Sequence, residues 1–241
     1  MTPALPVRPV TPASQLRVPS AAPSRDAFTP RERRFIETHR TPLAIQRWLN
    51  DLPYNGEHAG ETLRTFRGVL RDGRAHCLEA ALTAAVVLEQ HGWPPLVLSF
   101  ESVDRLDHVI FAYRTATGWG SVARSRDPGL HGRRPVFPTA RALARSYADP
   151  YVDFTGRVTG YAVVNLNVLG GYDWRRSAGN VWKVERLLID WPHHRLPMAE
   201  HRYRALHARY VDYRGRHGRK PVYYEGRHAW TPLPGEFRKA P

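Results

Sequence analysis

Cysteine occurs once in 241 residues, at Cys77, so an internal disulfide is excluded. Lysine is nearly as scarce, present only at 183, 220 and 239, and the net charge of +14 therefore rests on arginine. No apolar run approaches the roughly 20 residues that span a bilayer, which excludes a transmembrane helix. GxGxxG, a GKS or GKT loop and GxSxG are all missing, leaving nucleotide binding and serine hydrolysis without a motif, and no cofactor is expected. The first residues, "MTPALPVRPVTPASQLRVPSAAPSR", lack the apolar stretch of a secretory signal and are broken by prolines at 3, 6, 9, 12, 19 and 23. They read as a disordered or polyproline-like arm in which residues 1–25 pack against nothing. The expected protein is soluble, with a reducing cytoplasm as its compartment.

What is present is the composition of a globular protein, 42% hydrophobic and 11% aromatic. The organisation expected is a Pro-rich tail over 1–28, a folded core over 29–155 and a basic C-terminal extension over 156–241 that packs on or completes the core. Thr29, Pro30 and Glu32 are an N-cap, a first-turn proline and a first-turn acid, so "TPRERRFIETHRTPLAIQRWLNDL" starts a helix there, with Phe35, Ile36 and Leu43 facing inward. A second helix carries Cys77 and runs to about His91, where Gly92 and Pro94 stop it. Strands follow at 95–100, 107–113 and 119–123, the last two joined by a hairpin turn, and "TARALARSYADPYV" is helical. Short strands and helix are mixed over 155–191.

The charge could draw nucleic acid, and "HRYRALHARYVDYRGRHGRK" at 201–220, basic with interleaved tyrosines, is where such binding would concentrate. A solvated helix face followed by a glycine-containing loop accounts for the same pattern. His193, His194, His201 and His207 do not fall at a helical ligand spacing and have no acidic or thiol partner in sequence, so no metal site is read there.

Cys77 stands just after a glycine turn, on the first turn of an Ala/Leu-rich helix: "GRAHCLEAAL". It is either a small core residue or a nucleophile. A thiol attacks as thiolate, and its ordinary pKa of about 8.5 leaves little ionised at neutral pH. A helix N-terminus supplies unpaired amides and about half a positive charge, and a nearby imidazolium supplies a whole one. His108 opens the alternation His108, Ile110, Ala112 against Val109, Phe111, Tyr113, a strand apolar on both faces and hence central. A histidine there needs a hydrogen bond or a partner such as Cys77. His76 is a rival base, but as a helix neighbour of Cys77 it is expected to point away.

Taken together, "GRAHCLEAALTAAVVLEQHGWPPLVLSF", "DHVIFAYRTATGWGSV" and "RSRDP" resemble the catalytic core of the transglutaminase-like superfamily, a papain-like branch of cysteine enzymes that includes uncharacterised bacterial proteins. The resemblance, over residues 60–135, implies an α+β fold with a Cys-bearing helix packed on an antiparallel sheet that carries His and Asp. It implies Cys77 as nucleophile, His108 as general base and an acid that orients the ring. The family's acid follows the strand tryptophan by four positions, where this chain has Ala123. Asp127 keeps the Asp-Pro dipeptide at a longer spacing, and Ser125 is the alternative third member. The expected activity is acyl transfer or amide hydrolysis on a protein, peptide or small amide substrate. The alternative is a non-catalytic protein that keeps this core and binds nucleic acid or an acidic partner through residues 193–230.

Overall fold

The computed structural model describes residues 22–218 except 103, 104 and 155; most of the expected N-terminal arm, and residues 219–230 of the basic segment, lie outside the described residues. Seven α-helices and a six-stranded antiparallel sheet make up the described chain, an α+β arrangement. Helix α1 (Pro30–Thr38) begins at a reciprocal capping box between Thr29 and Glu32. The single helix expected to follow is two. Thr41 caps a new start, α2 (Pro42–Asp51), because the proline after it disfavours helical geometry at Thr41 and lacks the amide a continuing helix needs. Ile36, Ile45 and Leu49 are buried, whereas Phe35 and Leu43 are half-buried.

Helix α3 (Phe66–Asp72) stops at Gly73, whose φ of 65° is a left-handed cap that a side chain would strain. Helix α4 (Cys77–Glu89) is buried from Leu78 to Glu89 on every side, and its alanines let sheet and helices approach closely. Full burial of one leucine, such as Leu82, contributes about 1.5–3 kcal/mol, so α4 is the axis of the core.

Strands β1 (Leu96–Ser102), β2 (Arg105–Thr115), β3 (Gly118–Val122), β4 (Arg133–Phe137), β5 (Gly160–Asn165) and β6 (His194–Arg195) are ordered β4-β3-β2-β1-β5-β6. Strand β5 pairs with β1 from Leu96–Asn165 to Glu101–Gly160, so the segment after 156 completes the sheet. One face, with Val97, Val109, Phe111 and Val164, meets α4. The other, with Leu98, Phe100, Ile110 and Ala112, meets Leu143, Ala144 and Tyr147 of α5 (Ala140–Tyr151). Two further helices, α6 (Trp182–Asp190) and α7 (Glu200–His217), follow. Among the described residues no helix is long and apolar enough to cross a membrane.

Two segments differ from expectation in detail. The end of the N-terminal arm is anchored: Gln90 donates to the Pro23 carbonyl at 2.9 Å, Arg25 donates to Gln90 O at 2.9 Å and pairs with Glu37, and Phe28 is buried against Phe66. The basic segment forms α7, with Leu206, Tyr210 and Tyr213 turned inward and Arg202 paired with Asp149 of α5. Two of its interleaved tyrosines are thereby buried instead of offered as stacking platforms.

Candidate active site

The loop before α4 is tied at Ala75, which bridges to Tyr54, and the helix starts at His76. His76 is not on the helix as expected but is its N-cap, with extended backbone (φ −89°, ψ −176°). The ring therefore folds back over the first turn. Its Nδ1 accepts the Leu78 amide at 3.2 Å and its Nε2–H donates to the Thr62 carbonyl at 2.8 Å. Cys77 is the first helical residue, half-buried, with its own amide at the end of the helix where no acceptor is available within the helix.

Beneath the cap lies Glu79, wholly buried. Its carboxylate accepts from Arg64 Nε (2.7 Å), Arg64 Nη2 (3.1 Å), the Arg64 amide (3.0 Å), Thr62 Oγ1 (2.9 Å) and the His76 amide (3.1 Å). Burial favours the neutral acid, but Arg64 and these donors outweigh it and hold Glu79 below the usual carboxylate range. This network fixes the loop that bonds His76 and the first turn that presents Cys77. Sequence reasoning missed it, although His-x-x-Glu has the spacing of a capping box with histidine in the cap position.

His108 lies on β2 opposite Phe100 of β1, next to the point where the β1 register shifts. It is 2% exposed, stacked on Phe100 at 5.9 Å and flanked by Tyr147 at 5.9 Å. Its Nε2 is 3.1 Å from the Leu130 carbonyl. A carbonyl only accepts, so Nε2 carries the hydrogen, and in the neutral ring Nδ1 keeps its lone pair.

Asp127 and Ser125 are both buried in the loop after β3. The Asp127 carboxylate pairs with Arg126 at 3.2 Å, and its amide donates to Ser125 Oγ at 3.3 Å. The Asp127 carbonyl accepts the Leu130 amide at 3.0 Å, closing the 3₁₀ turn Pro128–Leu130 that carries the carbonyl bonded to His108. Nothing in the sequence marks that carbonyl.

Two of these groups, His76 and His108, act on the Cys77 thiol. Burial pushes the thiol up, but hydrogen bonding from His108 and His76, with their charges, outweighs burial and brings it down to about 5. The two histidines differ in what they can do. Burial opposes a charged His76, and the hydrogen bond and charge of Cys77 and the charge of Glu79 pull it the other way, to about 9. Charging His76 therefore requires Nδ1 to release the Leu78 amide, so its proton comes at the cost of the cap bond. His76 is thus a cap with both nitrogens engaged, and His108 is the ring free to exchange a proton at Nδ1. On the rim, Tyr54 is pushed up by burial and then by the Cys77 charge, and Glu185 of α6 is pushed up by burial and then by Glu61.

Among the described residues no cluster of three or more His, Cys, Asp or Glu is arranged to hold a metal ion. No protein-family model matches this chain, and no curated protein sequence matches it.

Proposed function

We propose that this protein is a cysteine-dependent enzyme of acyl transfer or amide hydrolysis, built on a transglutaminase-like core. What supports it best is the place of Cys77 on the first turn of α4, beside the His76 cap and under the influence of His108, a setting that brings the thiol down to about 5. In this reading the Cys77 thiolate attacks an amide or thioester carbonyl, and the C–S bond forms as the carbonyl π pair moves to oxygen. The amide of Cys77, at the start of α4, faces the resulting oxyanion. His108, carrying the thiol proton on Nδ1, returns it to the leaving amine or thiol as the bond from the carbonyl carbon to that group breaks and the tetrahedral centre collapses to the acyl-enzyme. Water or an amine then gives its proton to His108 and displaces sulfur. Water makes the protein a peptidase or amidase, and an amine makes it a transamidase.

Asp127 belongs to this machinery through the turn it opens, which aims the Leu130 carbonyl at His108. The test is intact-mass analysis of the full chain after brief exposure to iodoacetamide across a pH series. The expected result is a single adduct on Cys77 that forms rapidly well below pH 7. Alkylation that rises only around the ordinary thiol value of about 8.5 would sink the proposal.

A further inference from the structure

Arg133 is wholly buried on β4, and its guanidinium meets no carboxylate among the described residues. A guanidinium has five N–H donors, and here each has an acceptor. Nε donates to Ser146 Oγ at 3.3 Å. Nη1 donates to the carbonyl of His131 and to that of Gly132 at 3.4 Å. Nη2 donates to the carbonyls of Gly129 at 2.7 Å and Ser146 at 3.3 Å. The guanidinium plane lies over the Tyr147 ring at 4.0 Å, and the Tyr147 hydroxyl donates to the His131 carbonyl at 3.0 Å.

A buried charge without a counter-ion is costly, and burial pushes this guanidinium down from its ordinary value. A core position that needed only volume would be filled better by leucine or methionine. What the charge accomplishes is specific: three of its acceptors are the carbonyls of Gly129, His131 and Gly132, the residues flanking Leu130. The one carbonyl in this run that Arg133 leaves alone is that of Leu130, which takes His108 Nε2. Tyr147 touches both sides of the arrangement, as the π platform for Arg133 and a ring neighbour of His108.

We propose that Arg133, braced by Tyr147, is a positioning residue for His108: it locks the 129–132 loop so that the Leu130 carbonyl serves as the fixed acceptor that orients the imidazole. The proposal rests on the reading of Cys77 and His108 as the reacting pair. A carbonyl does not titrate, so this support persists at acidic pH, where a carboxylate in the same role would be lost by protonation.

The test uses the full chain and the iodoacetamide pH profile of Cys77, with Arg133→Lys and Tyr147→Phe as variants and Arg175→Lys as control. Lysine keeps the charge but cannot span the loop carbonyls, and phenylalanine keeps the ring while losing the bond to His131. Arg175 is also buried but paired with Glu89, at the far end of α4 from the thiol. Both variants are expected to move the inflection upward by about one pH unit, seen as roughly tenfold slower alkylation below it. The control is expected to lower the melting temperature without moving the inflection. A cooperatively folded Arg133→Lys protein with the wild-type profile overturns the proposal; if that variant does not fold, a wild-type profile in Tyr147→Phe does so. A wild-type protein that itself inflects near 8.5 overturns the proposal together with the reading of Cys77, whereas a low wild-type inflection with unmoved variants overturns the role of Arg133 alone.

Discussion

The Nε2 atom of His108 and the carbonyl oxygen of Leu130 stand 3.1 Å apart, and this contact decides which nitrogen of the ring can serve a thiol. With Nε2–H committed to the carbonyl, proton exchange falls to Nδ1, and an imidazolium formed there keeps its second N–H bonded. Replacing His108 with Ala removes the first of the two side chains that lower the Cys77 thiol against burial. The alkylation inflection should rise from about 5 toward 8.5, stopping short of it because His76 and the helix N-terminus remain. Stopped-flow or quenched alkylation with mass detection measures the shift, and an unchanged profile would make Cys77 a packing residue.

Asp127 invites a sharper substitution than alanine. Asparagine keeps the size of the side chain and the backbone acceptor that closes the Pro128–Leu130 turn, while removing the charge. If the Leu130 carbonyl orients His108, Asp127→Asn should keep the wild-type alkylation inflection and lose activity only a few-fold once a substrate is in hand. Asp127→Pro, which removes the amide bonded to Ser125 Oγ and disturbs the turn, should cost far more. A loss of several hundred-fold in the asparagine variant would restore the carboxylate as the orienting group.

Glu79 joins the cap of α4 to the loop that bonds His76. Gln in its place retains the shape and one acceptor but leaves Arg64, itself buried, with Asp72 as its remaining ion-pair partner. Breaking a buried pair in this way typically costs about 3–5 kcal/mol, and urea or thermal unfolding should show a loss of that order. The Cys77 profile should move up as well, because the first turn that presents the thiol loses its anchor. A destabilisation under about 1 kcal/mol would mean the network is more solvated than its geometry indicates.

The backbone plan of the site was legible because it is written in local chemistry. Thr29-Pro30 and the residues after Gly73 are helix starts, Gly92 and Pro94 are a stop, and the apolar runs around Leu98 and Phe111 are strands. The second helix start was also visible in Thr41-Pro42, a repeat of the first signal that a continuous apolar pattern masked. His76 reads from sequence as helical because it adjoins a helical cysteine, whereas one step outside the helix sends its ring the opposite way. Glu79 and Arg133 were invisible for a different reason. Charged side chains are read from sequence as solvated, and only the tertiary structure supplies the donors and carbonyls that let them be buried. The Leu130 carbonyl has no sequence signature at all, since every residue carries one.

The last prediction concerns His131, buried in the same loop. Its Nε2 lies 2.9 Å from Arg124 Nη1 and 3.0 Å from the Ser125 carbonyl, so the buried ring sits against a guanidinium charge that opposes its protonation. Burial first, then the charges of Arg124 and Arg133, push it down from 6.5 to about 3. In the unfolded chain the ring takes up a proton near 6.5, whereas in the folded protein it stays neutral until about pH 3. The unfolded state therefore binds more protons between these limits. The stability associated with neutral His131 is fully present above pH 6.5 and drains away as pH falls, at a slope of up to about 1.4 kcal/mol per pH unit. The window from pH 6.5 to 5 isolates this effect from the lowered carboxylates Glu32 and Asp72, which titrate below it. Denaturant melts across that window should show the midpoint falling in the wild type. His131→Asn, which keeps an acceptor for Arg124 but no titrating ring, should show a shallower fall, and the difference between the two slopes removes the contribution of other histidines such as His91. Equal slopes would mean that His131 charges in the folded protein and that its contact with Arg124 opens to let the proton in.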